Sequence, residues 1–382
     1  MKIVVATDSF KGCMRSDEAG TIIAGALSES LPDAEINVIP VADGGEGTTD
    51  AVIRATGGEI KEVAVTGPLG EPVTARYGLL SDGEMAVMEM ASASGIELVP
   101  TELLDPMKAT TYGTGELMRA AIASGVREII LGIGGSATVD GGTGMAQALG
   151  FRLLDRNGSE CGGGGEALAK IASIEDGGVL PELADCRIRV ACDVTNPLLG
   201  ERGAARVFGP QKGATPETVE QLESGLTSLA EIWKRKGLLE RVDCPGDGAA
   251  GGLGAGLRAF CNAEMSSGAD LVAEIIGFDE EIRGARFLVT GEGQTDEQTA
   301  GGKLCAVLAA KARRAGARTI LISGTVAGDL GDLSGLFDAV VATVLDVGSL
   351  DEAIERGPKN LGTAARKVGR VLALGRDLAE VK

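Results

Sequence analysis

Short stretches that combine carboxylates, hydroxyls, a lysine and glycine recur along the chain, each directly after an apolar run. They are Asp8-Ser9-Phe10-Lys11-Gly12, Asp43-Gly44-Gly45-Glu46-Gly47-Thr48, Gly134-Gly135-Ser136-Ala137-Thr138, Asp193-Val194-Thr195-Asn196, Gly291-Glu292-Gly293 and Ser323-Gly324-Thr325. The sequence contains no histidine, which removes histidine triads, histidine metal sites and imidazole acid/base catalysis. The seven cysteines (Cys13, Cys161, Cys186, Cys192, Cys244, Cys261 and Cys305) are odd in number and widely spaced, with no Cys-x-x-Cys pair, and read as small buried thiols. Any chemistry therefore falls to carboxylates, lysines, hydroxyls and backbone.

The segment 132–144, GIGGSATVDGGTG, is the strongest anion-binding candidate. Its glycines let consecutive backbone amides turn toward one centre, Ser136 and Thr138 add hydroxyls, and a helix is expected soon after. A second glycine-rich segment spans 246–256. The alternative for both is a turn that permits close helix-to-sheet packing. Neither is a Walker A loop, because Gly302-Lys303 is followed by Leu304 without the upstream glycine spacing, and the first apolar run does not lead into Gly-x-Gly-x-x-Gly. Lys11 is suited to neutralising a phosphoryl group, or else is a solvated surface residue. Asp193 ends a buried-looking strand, where an unpaired carboxylate is costly; its alternative is a helix or turn cap. Glu292, Asp296 and Lys303 surround a loop suited to Mg2+ and nucleotide phosphates, since Mg2+ takes one or two carboxylates plus phosphate oxygens.

The elements that must position these groups are β-branched apolar runs at residues 2–6, 37–41, 128–133, 187–192, 286–289, 319–322 and 339–344. Such runs suit strands buried on both faces of a parallel sheet, and ligands of such sheets bind beyond the strands' carboxyl ends. Helical patterns lie between them. The clearest is 215–236, with Thr215 as N-cap, Pro216 in the first position, an apolar stripe through Val219, Leu222, Leu226, Leu229 and Trp233, and Gly237 as the stop. Alternating strands and helices imply an α/β fold with mostly parallel sheets. Segment 63–90 reads instead as an antiparallel excursion of short strands that opens a second domain.

At 382 residues the chain suits two domains. Its 59 glycines lack a collagen period, and 44% hydrophobic against 24% charged residues describes a chain that folds. A net charge of -19 disfavours nucleic acid and anionic membranes as partners. No stretch approaches 18 consecutive apolar residues, so a soluble cytoplasmic protein without a targeting segment is expected.

Eight ordered blocks together resemble the bacterial glycerate kinase family: TDSFKG (7–12), VADGGEGT (41–48), ATTYGTGEL (109–117), GIGGSATVDGGTGM (132–145), CDVTNPLLG (192–200), VFGPQKGA (207–214), GAAGGLGAGL (248–257) and TGEGQTDEQTAGGK (290–303). The resemblance implies two α/β domains: a discontinuous Rossmann-like or flavodoxin-like domain of residues 1–66 and 284–382, and an inserted α/β domain of 67–283. It implies transfer of the γ-phosphate of ATP to D-glycerate with Mg2+, giving 2-phosphoglycerate. Asp193 is then expected to orient or deprotonate the acceptor hydroxyl and Lys11 to meet phosphate charge. Ser9, Asp43, Glu46, Arg54 and Asn196 become substrate-binding candidates. Gly134, Gly135, Ser136, Gly141, Gly251, Gly252 and Lys303 become nucleotide or phosphate candidates, and Glu292 and Asp296 metal ligands. Val139 stands where the family usually has asparagine, and GKLCAVLA replaces a proline-containing stretch where a helix is expected. The rivals are a kinase for another small hydroxy acid, a 3-phosphoglycerate-forming enzyme, and a non-catalytic flavodoxin-like nucleotide-binding protein.

Overall fold

The computed structural model describes residues 1–45, 47–295, 304–327, 333, 335–344 and 348–380, with side chains as far as 375. Among them the strands are β1 Lys2–Val5, β2 Glu35–Val38, β3 Glu59–Thr66, β4 Pro72–Leu79, β5 Met85–Glu89, β6 Glu128–Gly132, β7 Arg152–Leu154, β8 Ser173–Glu175, β9 Arg187–Ala191, β10 Glu264–Ser266, β11 Phe287–Thr295, β12 Arg318–Val326 and β13 Ala339–Ala342. The chain divides into two compact units: Met1–Asp43, Arg54–Thr56 and Ala269–Lys382 form one, and Gly44–Ile53 with Gly57–Gly268 the other.

The first unit is built on a sheet of order β13-β12-β11-β1-β2, parallel throughout. The unbroken apolar run of β1 follows from burial on both faces. Ile3 and Val5 enter one core with Ile23 and Leu27 of helix Ser16–Ser28 and Leu361 and Ala365 of helix Gly357–Glu380. Val4 and Ala6 enter the other with Leu288, Leu304 and Leu308. The last two belong to helix Leu304–Arg314, in the stretch where a helix was expected. Strand β2 lies earlier than the 37–41 run, because its register matches Lys2 with Glu35 and Val5 with Val38, so the ladder ends where β1 ends.

The second unit carries a sheet of order β10-β9-β6-β5-β4-β3. Strands β3, β4 and β5 form the antiparallel excursion read at 63–90, and β5, β6, β9 and β10 pair in parallel. Gly57, at φ 78, ends helix Thr48–Thr56 and turns the chain into β3. Because β3 pairs with β4 from Glu59 through Thr66, residues 57–66 fold with the second unit. The compact units thus part company with boundaries at 66 and 283. Helix Pro216–Lys236 has the expected ends: Thr215 and Thr218 form a reciprocal capping box and Gly237 closes it at φ 73. Its stripe buries Leu222, Leu226, Leu229 and Trp233, with Trp233 meeting Phe260 edge-on at 5.7 Å between ring centroids. No helix among the described residues is long and apolar enough to cross a membrane.

Candidate active site

In the first unit, acidic and hydroxyl groups gather at the carboxyl end of the parallel sheet, and backbone bonds explain why. Asp8 follows β1 and its amide donates to the Gly291 carbonyl at 2.8 Å, which sets it beside Glu292 on β11. Ser16 donates to the Thr7 carbonyl at 2.8 Å and accepts from the Val41 amide at 3.0 Å, so it ties the chain ends that carry Asp8 and Asp43. Phe10 and Met14 exchange backbone bonds of 2.9 and 3.0 Å across a turn that presents Lys11. Glu292 is 6% exposed, and its Oε1 lies 2.8 Å from the Thr295 hydroxyl. Asp8, Ser9, Lys11, Asp43, Glu292 and Gln294 are among the residues lining a cavity of about 420 Å³.

Burial, reinforced by the Asp43 and Glu292 carboxylates, pushes the Asp8 carboxyl up to about 7, against the pull of the Ser9 amide and the Lys11 ammonium. Such a group accepts either a proton or a cation near neutrality. Among the described residues no three cysteine, aspartate or glutamate side chains stand close enough to hold a metal by themselves. The set still fits Mg2+, which keeps waters and substrate oxygens in its shell and needs few carboxylates. Asp8 belongs to the cavity though the sequence reading left it out of the site; its position directly after an apolar strand was the available signal.

The second unit brings together different residues. The bridge between Gly95 and Ser136 closes with Ile96 amide to Gly135 carbonyl at 2.8 Å and Ala137 amide to Ser94 carbonyl at 3.0 Å. Gly134 and Gly135 are exposed, Gly135 at φ 72, and the amides of Gly134, Gly135 and Ser136 donate to no group among the described residues. Three adjacent undirected N–H groups form a nest suited to an anion. Behind it lies Lys212, which the sequence reading missed: it is 2% exposed and its Nζ donates to Ser136 Oγ at 2.6 Å and to the Thr138 carbonyl at 2.8 Å. Asp140 is buried and accepts from Thr111 Oγ1 and amide, each at 2.8 Å, and from the Gly142 amide at 3.0 Å. Burial pushes its carboxyl up, and these bonds oppose the shift.

The structure corrects several sequence expectations. Gly141, Gly251 and Gly252 are buried. A Cβ on Gly251 would strike the Thr138 carbonyl, one on Gly252 would sit 3.1 Å from Gly141 Cα, and one on Gly141 would sit 2.8 Å from Leu229. The missing Cβ at these glycines permits the close packing of two loops. Asp193 is exposed, not buried, and its Oδ1 accepts from the Gly268 amide at 3.0 Å, where helix Gly268–Ile275 begins. Solvent reaches its carboxylate, so burial imposes no cost on it. Asn196 spends its Nδ2 on the Arg202 carbonyl at 2.8 Å, holding its own turn. Arg54 is exposed and paired with Asp17, and is not among the residues lining the cavity. Val139 lies in the hydrophobic core, where a valine suits better than an asparagine. Glu46, Asp296 and Lys303 lie outside the described residues.

The chain matches the glycerate kinase family over residues 3–373. It is 46% identical over 377 residues to the glycerate 2-kinase of Escherichia coli (strain K12), covering 98% of this chain and 99% of the relative. It is likewise 46% identical to a glycerate kinase of Halalkalibacterium halodurans, over 97% of both chains. Among solved structures, a candidate glycerate kinase 2 from Salmonella typhimurium LT2 superimposes with a TM-score of 0.90 at 44% identity, covering 99% of each chain.

Proposed function

The chain belongs to the glycerate kinase family, and from that premise we propose that it transfers the γ-phosphate of ATP to D-glycerate, giving 2-phosphoglycerate and ADP. The observation that carries this reading is the cavity of the first unit, where Asp8, Asp43 and Glu292 face Lys11 and Ser9. Phosphoryl transfer asks for positioning and charge neutralisation more than covalent chemistry, and a histidine-free site of carboxylates, lysine and backbone amides meets that demand.

In the proposed reaction the acceptor hydroxyl oxygen bonds to the γ-phosphorus, the bridging oxygen leaves with ADP, and the hydroxyl proton passes to a carboxylate. Lys11 places a positive charge at the moving phosphoryl group. One or two of the carboxylates of Glu292, Asp8 and Asp43 would hold Mg2+ beside phosphate oxygens and water, and the ion would supply charge neutralisation there. Ser9 and Asp43 offer hydrogen bonds to the hydroxy acid, and the 134–136 nest takes an anionic oxygen group. Asp193, held in one orientation by the Gly268 amide, is the proposed acceptor of the hydroxyl proton. Asp193→Asn keeps its shape and is expected to lower kcat by roughly two to four powers of ten while ATP binding stays within about twofold. Unchanged kcat with a lowered Tm would leave it a helix cap.

The direct test is ADP release with D-glycerate, L-glycerate and glycerol as acceptors, followed by phosphorus NMR of the product. Preference for D-glycerate with the signal of a 2-phosphate ester supports the reading. A 3-phosphate ester, or faster turnover of another hydroxy acid, replaces it.

A further inference from the structure

We propose that Lys212 is a positioning residue for anion binding: its buried side chain fixes the Ser136 hydroxyl so that its hydrogen points away from Lys212 and serves as a fourth donor at the 134–136 nest. The inference rests on the reading of that nest as a ligand-binding element, and it adds how the chain arms it.

An ammonium offers three hydrogens and no lone pair. Across the 2.6 Å contact, Ser136 Oγ must therefore accept, and its single hydrogen is directed elsewhere. A second Lys212 hydrogen is held by the Thr138 carbonyl at 2.8 Å, so the ammonium bridges both ends of the turn and cannot swing aside. Its backbone is equally constrained. Lys212 closes the short helix Pro210–Lys212, and the next residue, Gly213, sits at φ 95 where a Cβ would collide with the Leu104 carbonyl. On the other side the bridge at Gly95 anchors Ser136.

A lysine with only 2% exposure carries a large desolvation cost. Burial pushes its amine down to about 7, and the one charged group opposing that shift is Asp140, whose oxygens are already engaged by the Thr111 and Gly142 donors. An anion at the nest adds negative charge beside Lys212 and favours the ammonium form, so anion binding and the charge on Lys212 reinforce each other. A residue needed only to fill space here would be apolar.

The ligand group is an anionic oxygen cluster, with two sources: a nucleotide phosphate or the carboxylate of the hydroxy acid. Equilibrium titrations of the full chain with ADP and, separately, with D-glycerate at about pH 6.5 distinguish them. The variants are Ser136→Ala, Lys212→Met and the double variant. We expect Ser136→Ala and Lys212→Met each to lose about tenfold or more in affinity for one of the two ligands, and the double variant to lose no more than Lys212→Met alone, because both act through one hydroxyl. Losses that add in the double variant, or affinities for both ligands within about twofold of wild type, overturn the role of Lys212. If Lys212→Met does not fold, Ser136→Ala carries the test by itself, and unchanged affinity for both ligands is the overturning result. A wild-type chain that binds neither ligand overturns the inference together with the reading of the nest, whereas a wild type that binds beside unaffected variants overturns the inference alone.

Discussion

Lys11 is exposed and lines a cavity where the other charged side chains among the described residues are Asp8, Asp43 and Glu292, so its charge has a function that its packing does not. Lys11→Ala is expected to lower kcat by roughly two to three powers of ten, the range for losing one preorganised electrostatic contact. Stability should move by less than about 0.5 kcal/mol, since no cavity is made; wild-type turnover would return Lys11 to the solvated surface. Lys212 makes the opposite case, a charge that is all burial. Its amine is pushed down to about 7 from the usual 10.5. Between those values the unfolded chain holds a proton that the folded chain has released, so this residue's contribution to stability rises with pH across the window and is level on either side. Thermal melts of wild type and Lys212→Met should show the wild type gaining on the variant from pH 7 to pH 10. A difference that stays constant or shrinks contradicts the assignment.

At the scale of elements, glycines of one composition do two different things. Gly251 sits at φ 67, where an added Cβ would strike the Thr138 carbonyl, so Gly251→Ala must force two loops apart. A loss on the order of 2 kcal/mol or more is expected, measured by urea unfolding. Gly135 is exposed, and Gly135→Val is expected to weaken ligand binding by blocking approach to the nest. An unmoved urea midpoint for Gly251→Ala, or unchanged binding for Gly135→Val, would reverse the division of labour. Sequence patterns could not make that division, because both segments read as glycine-rich turns after apolar runs. The helix Pro216–Lys236 was legible to the residue, since its cap, its stripe and its stop are all local.

The whole chain carries a net charge of -19, and both proposed substrates are anions. Long-range repulsion and the three carboxylates Asp8, Asp43 and Glu292 at the cavity make a bound divalent cation the natural means of admitting ATP. Turnover is expected to vanish in excess chelator and to return with added Mg2+, while the far-ultraviolet spectrum stays unchanged. Full turnover in chelator would exclude the metal from the reaction.

What the sequence determined alone is what depends on neighbours along the chain. Apolar runs without alternation meant strands buried on both faces, which β1, β6, β9, β11 and β12 largely are, whereas β2 and β13, at the edges of their sheet, stay partly exposed. The absence of histidine limited the chemistry, and eight ordered blocks pointed to the family that the whole-chain match shows. Tertiary structure alone decided which groups meet. Lys212 and Ser136 are 76 positions apart, and nothing in the PQKG stretch signals that its lysine is buried. The Asp8 carboxyl is pushed up first by burial and then by the Asp43 and Glu292 carboxylates, which distant segments of the chain bring to it. Residues 57–66 fold with the second unit because β3 pairs along its full length with β4. Periodicity and capping record how each segment faces the core, but desolvation and charge proximity are sums over every segment that packs around a group, and those sums exist only once the chain has folded.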